Sequence, residues 1–343
     1  MRVMRGLTPA LLILLAACSD TGGEPALLEA GITIAGHFGE DGDASEDVSG
    51  LACDWQDSAP EMRCLAIEDE GREAQWASFD GAILRAGQRF DLLGVGAPLG
   101  TAPDGICSDA DSESDELDGE AAAFSDGAFY ISGSHGCSRE SDEYRPASFV
   151  VVRIAPDEPR GEILPGSVSI VASHRLSGMI QRDPVLAPFF GTSLMDADGL
   201  NIEGLAVRGE RMVFGLRAPV IDGRAFLFET SVTALFSPDI VGPGRAGPIA
   251  LGTDTGIRDL AFLPDGRLLI LSGPAQDQPL PYHIHLHSGD GTAELLATVE
   301  APRGGKAEAM AVVGVEADRV SLLVLFDGAD DGAPIPMTIA LPD

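Results

Sequence analysis

The chain of 343 residues carries a formal net charge of -32, from 54 acidic against 22 basic residues. This charge argues against nucleic acid and anionic membrane surfaces as direct partners, because like charges repel. Cations and basic partners remain open, as does the simpler interpretation of a solvated acidic surface suited to a saline habitat. Gly (42) and Pro (23) are abundant and aromatic residues make up only 6%. That composition is typical of short strands joined by turns rather than of a helical bundle.

The N-terminus predicts export. Arg2 and Arg5 precede an apolar run, Leu7–Leu15, which is too short for a permanent transmembrane helix. Small residues then lead directly into Cys18. This arrangement resembles a bacterial lipoprotein signal. An ordinary cleaved signal with an incidental cysteine is the alternative.

The lipoprotein resemblance implies three parts of the chain. Residues 1–17 would be removed as the signal, and the thiol of Cys18 would take a lipid. Residues 18–30 would form the tether of a folded domain over 31–343. Ser19 implies sorting to the outer membrane, facing the periplasm, with the lipid as the only membrane contact.

Four cysteines remain after Cys18, an even number in an oxidising compartment, where thiols tend to pair. Three connectivities are open. The pairs Cys53–Cys64 and Cys107–Cys137 are favoured, because each flanks one short excursion of the chain. A metal–thiolate site is the alternative, although no C-x-x-C spacing occurs.

The chain contains an internal repeat. A short strand-like segment recurs, and most copies are followed by a turn signal and a second apolar run, such as 264–273 (PDGRLLILSG). A third run often comes next, as in 282–287 (YHIHLH). The repeated segments are Val48–Ala52, Gly119–Ala123, Ile202–Ala206, Ile257–Ala261 and Ala307–Ala311.

Strand, turn and strand at intervals of this kind are typical of β-propeller blades. The sequence therefore predicts an all-β fold, a propeller of five recognisable blades built from four-stranded antiparallel sheets. A sixth blade could lie in the longer intervals, and a β-sandwich is the alternative. We expect 31–36 (GITIAG) to pair with 337–341 (MTIAL) and close the ring. The stretch Leu176–Phe190 predicts a loop with a short helix.

The second position of each repeated segment is polar. Because the first strand of every blade lines the central channel, equivalent positions should converge on one mouth of it. Three carboxylates meeting there would raise each other's pKa unless a cation or a guanidinium compensates. These positions are Ser49, Glu120, Glu203, Arg258 and Glu308.

Further candidates surround that mouth. Arg217 ends the second strand of its blade and should return beside Glu203 if the two strands pair. His135 is expected in the corresponding place of the preceding blade, and Asp69 and Glu70 near it in the first. The predicted ligand-binding set is Glu120, Glu203, Glu308, Arg217, Arg258, Asp259 and His135, of which Glu203, Arg217 and His135 are the catalytic candidates.

A family resemblance rests on three segments: 198–229, containing IEGLA and GLRAP; 119–139, containing GSHG; and 256–274, containing IRDLAFLPDG. They resemble a bacterial propeller family catalogued as a domain of unknown function, which implies the propeller fold and no established activity. The first segment also loosely resembles the esterase-like phytase group, which shares a strand bearing the motif Glu203-Gly204-Leu205-Ala206. That resemblance implies a phosphoesterase role.

The run Asp109–Glu120 places carboxylates at alternating positions, as calcium loops do. Asp109, Asp111, Glu113 and Asp115 are the candidate Ca²⁺ ligands, with a solvated acidic loop as the alternative. Ser114 occupies the position where an EF-hand needs glycine, so the segment is not an EF-hand.

His283, His285 and His287 alternate along one predicted strand, a spacing that could hold zinc. An outer strand with its polar face in water is the alternative. The sequence has no G-x-S-x-G elbow, no phosphate loop and no H-E-x-x-H motif, so nucleophilic catalysis lacks a motif beyond Ser134 beside His135.

Two functions fit these observations. The first is a lipid-anchored propeller that binds a small-molecule or protein ligand at its channel mouth. The second is a metal-assisted phosphoesterase, in which the carboxylates would hold Ca²⁺ and the arginines would take phosphate oxygens. A purely structural role for pairs such as Glu203 with Arg217 is the alternative for any single residue.

Overall fold

A computed structural model describes residues 31–55, 60–110, 116–139, 141–156, 168–240, 242–289 and 291–342. Within these residues the chain forms five successive β-sheets arranged as the blades of a propeller, and in each the strands that follow one another are antiparallel. The predicted all-β propeller with five blades is confirmed. The signal, Cys18 and the tether lie outside the described residues.

Blade 1 contains β1 (Thr33–Ala35), β2 (Val48–Cys53), β3 (Met62–Glu68), β4 (Glu73–Phe79) and β5 (Ile83–Asp91). A two-residue strand, β6 (Asp109–Ala110), pairs in parallel with β9 (Glu143–Tyr144) beside blade 2. Blade 2 itself contains β7 (Gly119–Ser125), β8 (Ala128–Gly133), β10 (Val151–Pro156) and β11 (Val168–Ser173). Two short helices follow, α1 (Arg175–Ile180) and α2 (Leu194–Ala197), in the region predicted as a loop with a helix.

Blade 3 contains β12 (Asn201–Arg208), β13 (Arg211–Ile221), β14 (Arg224–Ser231) and β15 (Arg245–Ile249), with α3 (Val232–Phe236) before β15. Blade 4 contains β16 (Thr255–Phe262), β17 (Leu268–Pro274), β18 (Tyr282–His287) and β19 (Glu294–Val299). Blade 5 contains β20 (Lys306–Val315), β21 (Arg319–Asp327) and β22 (Ile335–Ala340). Single 3-10 turns occur at Glu40–Gly42, Pro146–Phe149, Ala187–Phe189 and Asp330–Gly332.

The core lies between the blades. Each of five clusters of buried apolar side chains is shared by two neighbouring blades, including one between blades 5 and 1. The strands can therefore be apolar on both faces, as β17 is with all seven residues buried. Burying a side chain such as Phe214 or Phe326 contributes roughly 1.5–3 kcal/mol, and both are fully buried. The ring is thus closed mainly by side-chain packing.

Ring closure differs from the prediction that 31–36 pairs with 337–341. Strand β1 instead pairs in parallel with β5, within blade 1. Closure is completed by Asp331 of blade 5, whose Oδ1 accepts a hydrogen bond from the backbone of Phe38 at 2.8 Å, while its Oδ2 lies 2.8 Å from Nδ1 of His37. The backbone N–H groups of Gly328 and Asp331 also donate to the carbonyl oxygens of Glu46 and Ser45, at 2.7 and 2.6 Å. The two blades are therefore joined by a buried carboxylate, backbone hydrogen bonds and an apolar interface, without a shared β-sheet.

The innermost strands, β2, β7, β12, β16 and β20, surround the axis, each in contact with the next. Small residues allow this close approach. A Cβ at Gly50 would come within 2.5 Å of the Ile67 side chain, and a Cβ at Gly204 would come within 2.9 Å of Leu260. None of the helices in the described part of the chain is long and apolar enough to cross a membrane.

Candidate functional site

All five innermost strands are irregular at the same place. In each, the strand-to-strand register shifts so that one residue has no partner on the second strand, which defines a β-bulge. A bulge re-aims the side chain of the extra residue. The bulged residues are Ser49, Glu120, Glu203, Arg258 and Glu308, and we call them the polar ring.

A second tier follows from the same register. In each blade, the residue just before the bulge on the innermost strand pairs with a residue on the second strand. The next residue along that second strand belongs to the second tier. In blade 3 this residue is Arg217, which confirms its predicted place beside Glu203. The five members of the second tier are Asp69, Ser134, Arg217, Gly273 and Asp327.

Blades 3, 4 and 5 hold the charge-paired side of the polar ring. Glu203 Oε1 accepts a hydrogen bond from Arg217 Nη1 at 2.7 Å, and Glu203 Oε2 lies 2.8 Å from Arg258 Nε. Arg258 also donates through Nη2 to Glu308 Oε1. The contact between Glu203 Oε2 and Arg258 Nε is an ion pair without hydrogen-bond alignment. One guanidinium, 1% exposed, thus bridges carboxylates from the blades on both sides of it.

Neighbouring residues fix the two guanidiniums. Arg217 Nε donates to the carbonyl oxygen of Ala275 at 2.8 Å. At Gly273 a Cβ would come within 2.5 Å of the Tyr282 ring and 3.2 Å of Arg258 Cγ. Glycine in this place of the second tier therefore leaves the space that Arg258 and Tyr282 fill.

Blades 1 and 2 form the acidic side. Glu120 is 8% exposed, and among the described residues nothing hydrogen-bonds to its carboxylate. Its pKa is raised well above the ordinary value, first by burial and then by the charges of Glu203, Asp118 and others. Asp69 lies on the same side; burial, followed by repulsion from Glu308, raises its pKa to about 9. Its Oδ1 atom is buried, and no described atom hydrogen-bonds to it.

Asp118 completes this acidic side, and Glu308 of the charge-paired side borders it. Burial raises the pKa of Asp118 to about 6, although the Ser134 hydroxyl, which donates to its Oδ2, opposes the shift. Burial also raises the pKa of Glu308 to about 7, opposed by Arg258. Glu70 lies farther out and is exposed; the charge of Asp47 contributes most to raising its pKa. The acidic side thus contains several carboxyl groups whose pKa burial raises, so that they stay protonated at higher pH than an exposed carboxyl group does.

Ser49 closes the polar ring without a charge. Its hydroxyl donates to the carbonyl oxygen of Gly119 in blade 2 and lies 3.3 Å from that of Ile67. Going round the ring, Glu120 therefore has Ser49 on one side and Glu203 on the other. No arginine of the polar ring or second tier is bonded to it.

Asp259, predicted in the ligand-binding set, is engaged in the framework. Its Oδ2 accepts from the backbone of Met310 at 2.6 Å, and its Oδ1 accepts from the backbone of Leu260 at 2.7 Å. Burial raises its pKa well above the ordinary value. The carboxyl group links blade 4 to blade 5 and has its oxygens occupied.

His135 does not hold the second-tier position of blade 2. The place that corresponds to Arg217 is held by Ser134, one residue earlier, because Gly133 pairs with Gly119. His135 is fully buried, its Nδ1 lies 3.0 Å from the carbonyl oxygen of Gly133, and its ring packs edge-on to Phe149. Burial lowers its pKa to about 4, so the imidazole is neutral.

The other predicted metal positions are distinct from this site. Asp109 lies in β6, whereas Asp111, Glu113 and Asp115 lie outside the described residues. In blade 4, His285 and His287 are buried rather than in water, and their hydrogen bonds run to Ser272 and to the carbonyl of Thr292. Within the described ranges no group of three or more His, Cys, Asp or Glu residues is arranged to hold a metal ion.

Both predicted disulfides are present, Cys53–Cys64 and Cys107–Cys137. The first joins β2 to β3 in directly opposite positions. The second fastens the segment after blade 1 to the loop that follows β8.

The remainder of the channel is a cavity of about 410 Å³, lined by the second halves of all five innermost strands. These strands are sheet edges, so their free N–H and C=O groups face the axis and require water. Arg208 and Asp126 lie at the far end of this cavity, away from the polar ring.

Asp327 was missed by sequence reasoning. It holds the second-tier position of blade 5 and pairs with Lys306. The signal was available, since Asp327 directly follows the apolar run 322–326 of its second strand, much as Glu68-Asp69 follows the apolar run 64–67 in blade 1.

Residues 167–334 match the family model described as "Protein of unknown function (DUF3616)". The IEGLA, GLRAP and IRDLAFLPDG motifs lie inside this span, and the GSHG motif lies outside it. No curated protein matches the chain. The similarity to the phytase group stays a prediction.

Solved structures with a similar fold include family-43 glycoside hydrolases. A bifunctional GH43-CE protein of Bacteroides eggerthii is 13% identical, with a TM-score of 0.41, 91% of this chain and 34% of that chain covered. The exo-β-1,3-galactanase 1,3Gal43A of Clostridium thermocellum is 9% identical, with a TM-score of 0.44 and coverages of 91% and 62%. A thermostable family-43 glycoside hydrolase is 11% identical, with a TM-score of 0.41 and coverages of 86% and 88%. This chain spans about a third of the B. eggerthii protein, and the activities named belong to those proteins.

Proposed function

We propose that this protein binds a small organic cation at the acidic side of the polar ring. The observation that carries the proposal is Glu120: a carboxylate that is 8% exposed, at a bulge aimed at the axis, with no described hydrogen-bond partner. An unpaired buried carboxylate is costly to keep ionised, and the pKa of Glu120 is raised for that reason. A bound cation would supply the missing partner.

The charge pattern supports a cation rather than an anion. The donors of Arg217 and Arg258 already contact Glu203, Glu308 and the Ala275 carbonyl. A phosphate group would have to share these two guanidiniums with the carboxylates, whose like charge would repel it. No observation in the described residues therefore favours the phosphoesterase alternative over binding.

An ammonium or guanidinium group fits the donor set better than a metal ion does. Glu120 and the buried Oδ1 of Asp69 are acceptors without described donors, and no described cluster is arranged for a metal. An ammonium group offers three hydrogen-bond donors that can reach separate carboxylates. Ordered metal coordination would need those oxygens to converge.

The test uses titration calorimetry on residues 18–343, the predicted mature chain, carrying Cys18→Ser, which needs no detergent. We expect n-butylammonium to bind, whereas n-butanol, with the same chain and no charge, does not. Glu120→Gln should weaken n-butylammonium binding at least tenfold, because removing one partner of a buried charge pair costs about 2–5 kcal/mol. Glu229→Gln, on an exposed pair with Arg211, is the control for non-specific attraction to an acidic protein.

Equal affinity of wild type and Glu120→Gln would contradict the proposal. Calcium chloride is titrated in parallel. Glu120-dependent binding of Ca²⁺ but not of n-butylammonium would replace the organic cation by a metal. Tetramethylammonium, which carries charge but no N–H donor, separates hydrogen bonding from charge alone.

We also propose that the propeller is held on a lipid at Cys18 and faces the periplasm from the outer membrane. The support is the sequence of residues 1–18. Incorporation of labelled palmitate should be lost in Cys18→Ala, and the protein should leave the membrane fraction.

A further inference from the structure

A second cavity lies at the rim of the propeller, between blades 1 and 2. It is at the same end of the strands as the polar ring, but beside the outer strand of blade 2 rather than the innermost one. It has a volume of about 420 Å³. Its walls come from the connection after β5, from Pro146 and Ala147, and from the outer strand β11. Pockets of this size commonly hold small molecules.

The lining of this cavity is uncharged. It consists of Leu, Val, Ile, Ala, Pro and Gly residues together with one histidine, His174. In a chain of net charge -32 in which 22% of residues are charged, this is unusual. Residues 92–103, which provide one wall, contain no charged residue, and Val95 among them is 57% exposed.

The wall is anchored at both ends. Leu92 donates its backbone N–H to the carbonyl oxygen of Arg72 at 3.1 Å. Leu99 donates to the carbonyl oxygen of Ala172 at 2.9 Å and accepts from the backbone N–H of His174 at 2.8 Å. Residues 93–98 therefore arch over the cavity between two fixed points.

His174 supplies one directed polar group. His174 is 9% exposed, and its Nδ1 lies 2.9 Å from the carbonyl oxygen of Phe149. A carbonyl can only accept, so Nδ1 carries the proton and Nε2 holds a lone pair. Among the described residues nothing hydrogen-bonds to Nε2, and the ring borders the cavity.

We propose that this cavity binds a small, uncharged and largely apolar molecule that donates one hydrogen bond to Nε2 of His174. The apolar walls supply the affinity by burying apolar surface. The single acceptor selects an alcohol or phenol over a hydrocarbon or an ether, because an ether in the cavity would cover the lone pair of Nε2 without donating to it. This site is independent of the cation site at the polar ring.

The test compares two probes of the same ring system, 1-naphthol and 1-methoxynaphthalene, by titration calorimetry on residues 18–343 carrying Cys18→Ser. We expect 1-naphthol to bind about tenfold more tightly, the effect of one hydrogen bond to a buried acceptor. In His174→Leu this preference should disappear while 1-methoxynaphthalene still binds. Glu120→Gln should change neither affinity, which separates this site from the polar ring.

Ala172→Trp provides a second variant that leaves His174 in place. Ala172 is half-buried on the cavity wall, and an indole there would fill the space and weaken both probes at least tenfold. If His174→Leu does not fold, the two probes and Ala172→Trp decide. Absence of binding, equal affinity of the two probes for wild type, or affinity that Ala172→Trp leaves unchanged would overturn the proposal.

Discussion

Glu203 and Arg258 meet across the interface of blades 3 and 4, with Oε2 and Nε 2.8 Å apart and each residue 1% exposed. Neither charge has access to bulk water, so each depends on the other and on Arg217 and Glu308 for neutralisation. The pair therefore serves as a link between blades as well as a wall of the channel mouth.

Replacing Glu203 by Gln should destabilise the protein strongly. The amide keeps the shape but removes the charge between Arg217 and Arg258, and breaking a buried ion pair on one side costs about 3–5 kcal/mol. Urea denaturation followed by circular dichroism would measure the loss. Glu229→Gln breaks the exposed pair with Arg211, whose side chains are each 43% exposed, and should cost less than about 1 kcal/mol. Similar losses in the two variants would mean that the buried network contributes no more than a surface pair.

Replacing Glu120 by Gln should have the opposite effect. Glu120 has no described hydrogen-bond partner, and its neighbours Glu203, Asp118 and Glu308 disfavour its charge. Glutamine needs neither proton uptake nor a buried charge on folding, so at pH 7 the free energy of unfolding should rise by about 1 kcal/mol, as expected where a binding residue is kept at the expense of stability. The same denaturation experiment would show it. A clear loss of stability in Glu120→Gln would instead give this residue the structural role that Glu203 has.

Asp331 should be required for closing the ring. Its Oδ1 accepts from the backbone of Phe38 at 2.8 Å and of Ser45 at 3.4 Å, and the residue is 5% exposed. Asp331→Ala leaves buried N–H groups without acceptors, at about 1–3 kcal/mol each. The exposed neighbour Asp330→Ala is the matched control and should change stability little. Equal melting temperatures for the two variants would show that apolar packing and the backbone hydrogen bonds to Ser45 and Glu46 close the propeller without this carboxylate.

The repeat made the fold and the polar ring predictable. A propeller uses the same innermost strand in every blade, so aligning Val48–Ala52 with Ile202–Ala206 was enough to align Ser49 with Glu203. The bulge that aims these side chains was not predictable, because periodicity carries no information on strand register. For the same reason His135 was assigned the place that Ser134 holds.

Pairing partners were the least predictable part. The sequence placed Arg217 beside Glu203 correctly, but it could not show that Arg258 lies between Glu203 and Glu308 while Glu120 has no arginine. That difference depends on which side chains reach across blade interfaces. The ring closure by Asp331 was missed for the same reason, since a loop carboxylate gives no periodic signal.

Asp69 should make the protein less stable as the pH rises. Its pKa in the folded protein is about 9, against 3.8 for an ordinary aspartate. The folded state therefore binds a proton that the unfolded state has released, so the contribution of Asp69 is fully present below about pH 4 and is lost as the pH rises towards 9. One such proton gives a slope of at most about -1.4 kcal/mol per pH unit, reduced here because the side chain is partly solvated.

The measurement is the urea midpoint of wild type and Asp69→Asn at pH 5, 7 and 9. Asparagine cannot ionise, so the difference between variant and wild type isolates this carboxyl group from all others. We expect Asp69→Asn to gain stability relative to wild type progressively from pH 5 to pH 9. Asp126→Asn, at an exposed turn, is the control for a simple change in net charge and should show no such trend. Parallel pH profiles for wild type and Asp69→Asn would mean that Asp69 is already ionised at pH 5 in the folded protein. The acidic side of the ring would then hold its charge without a proton or a bound cation.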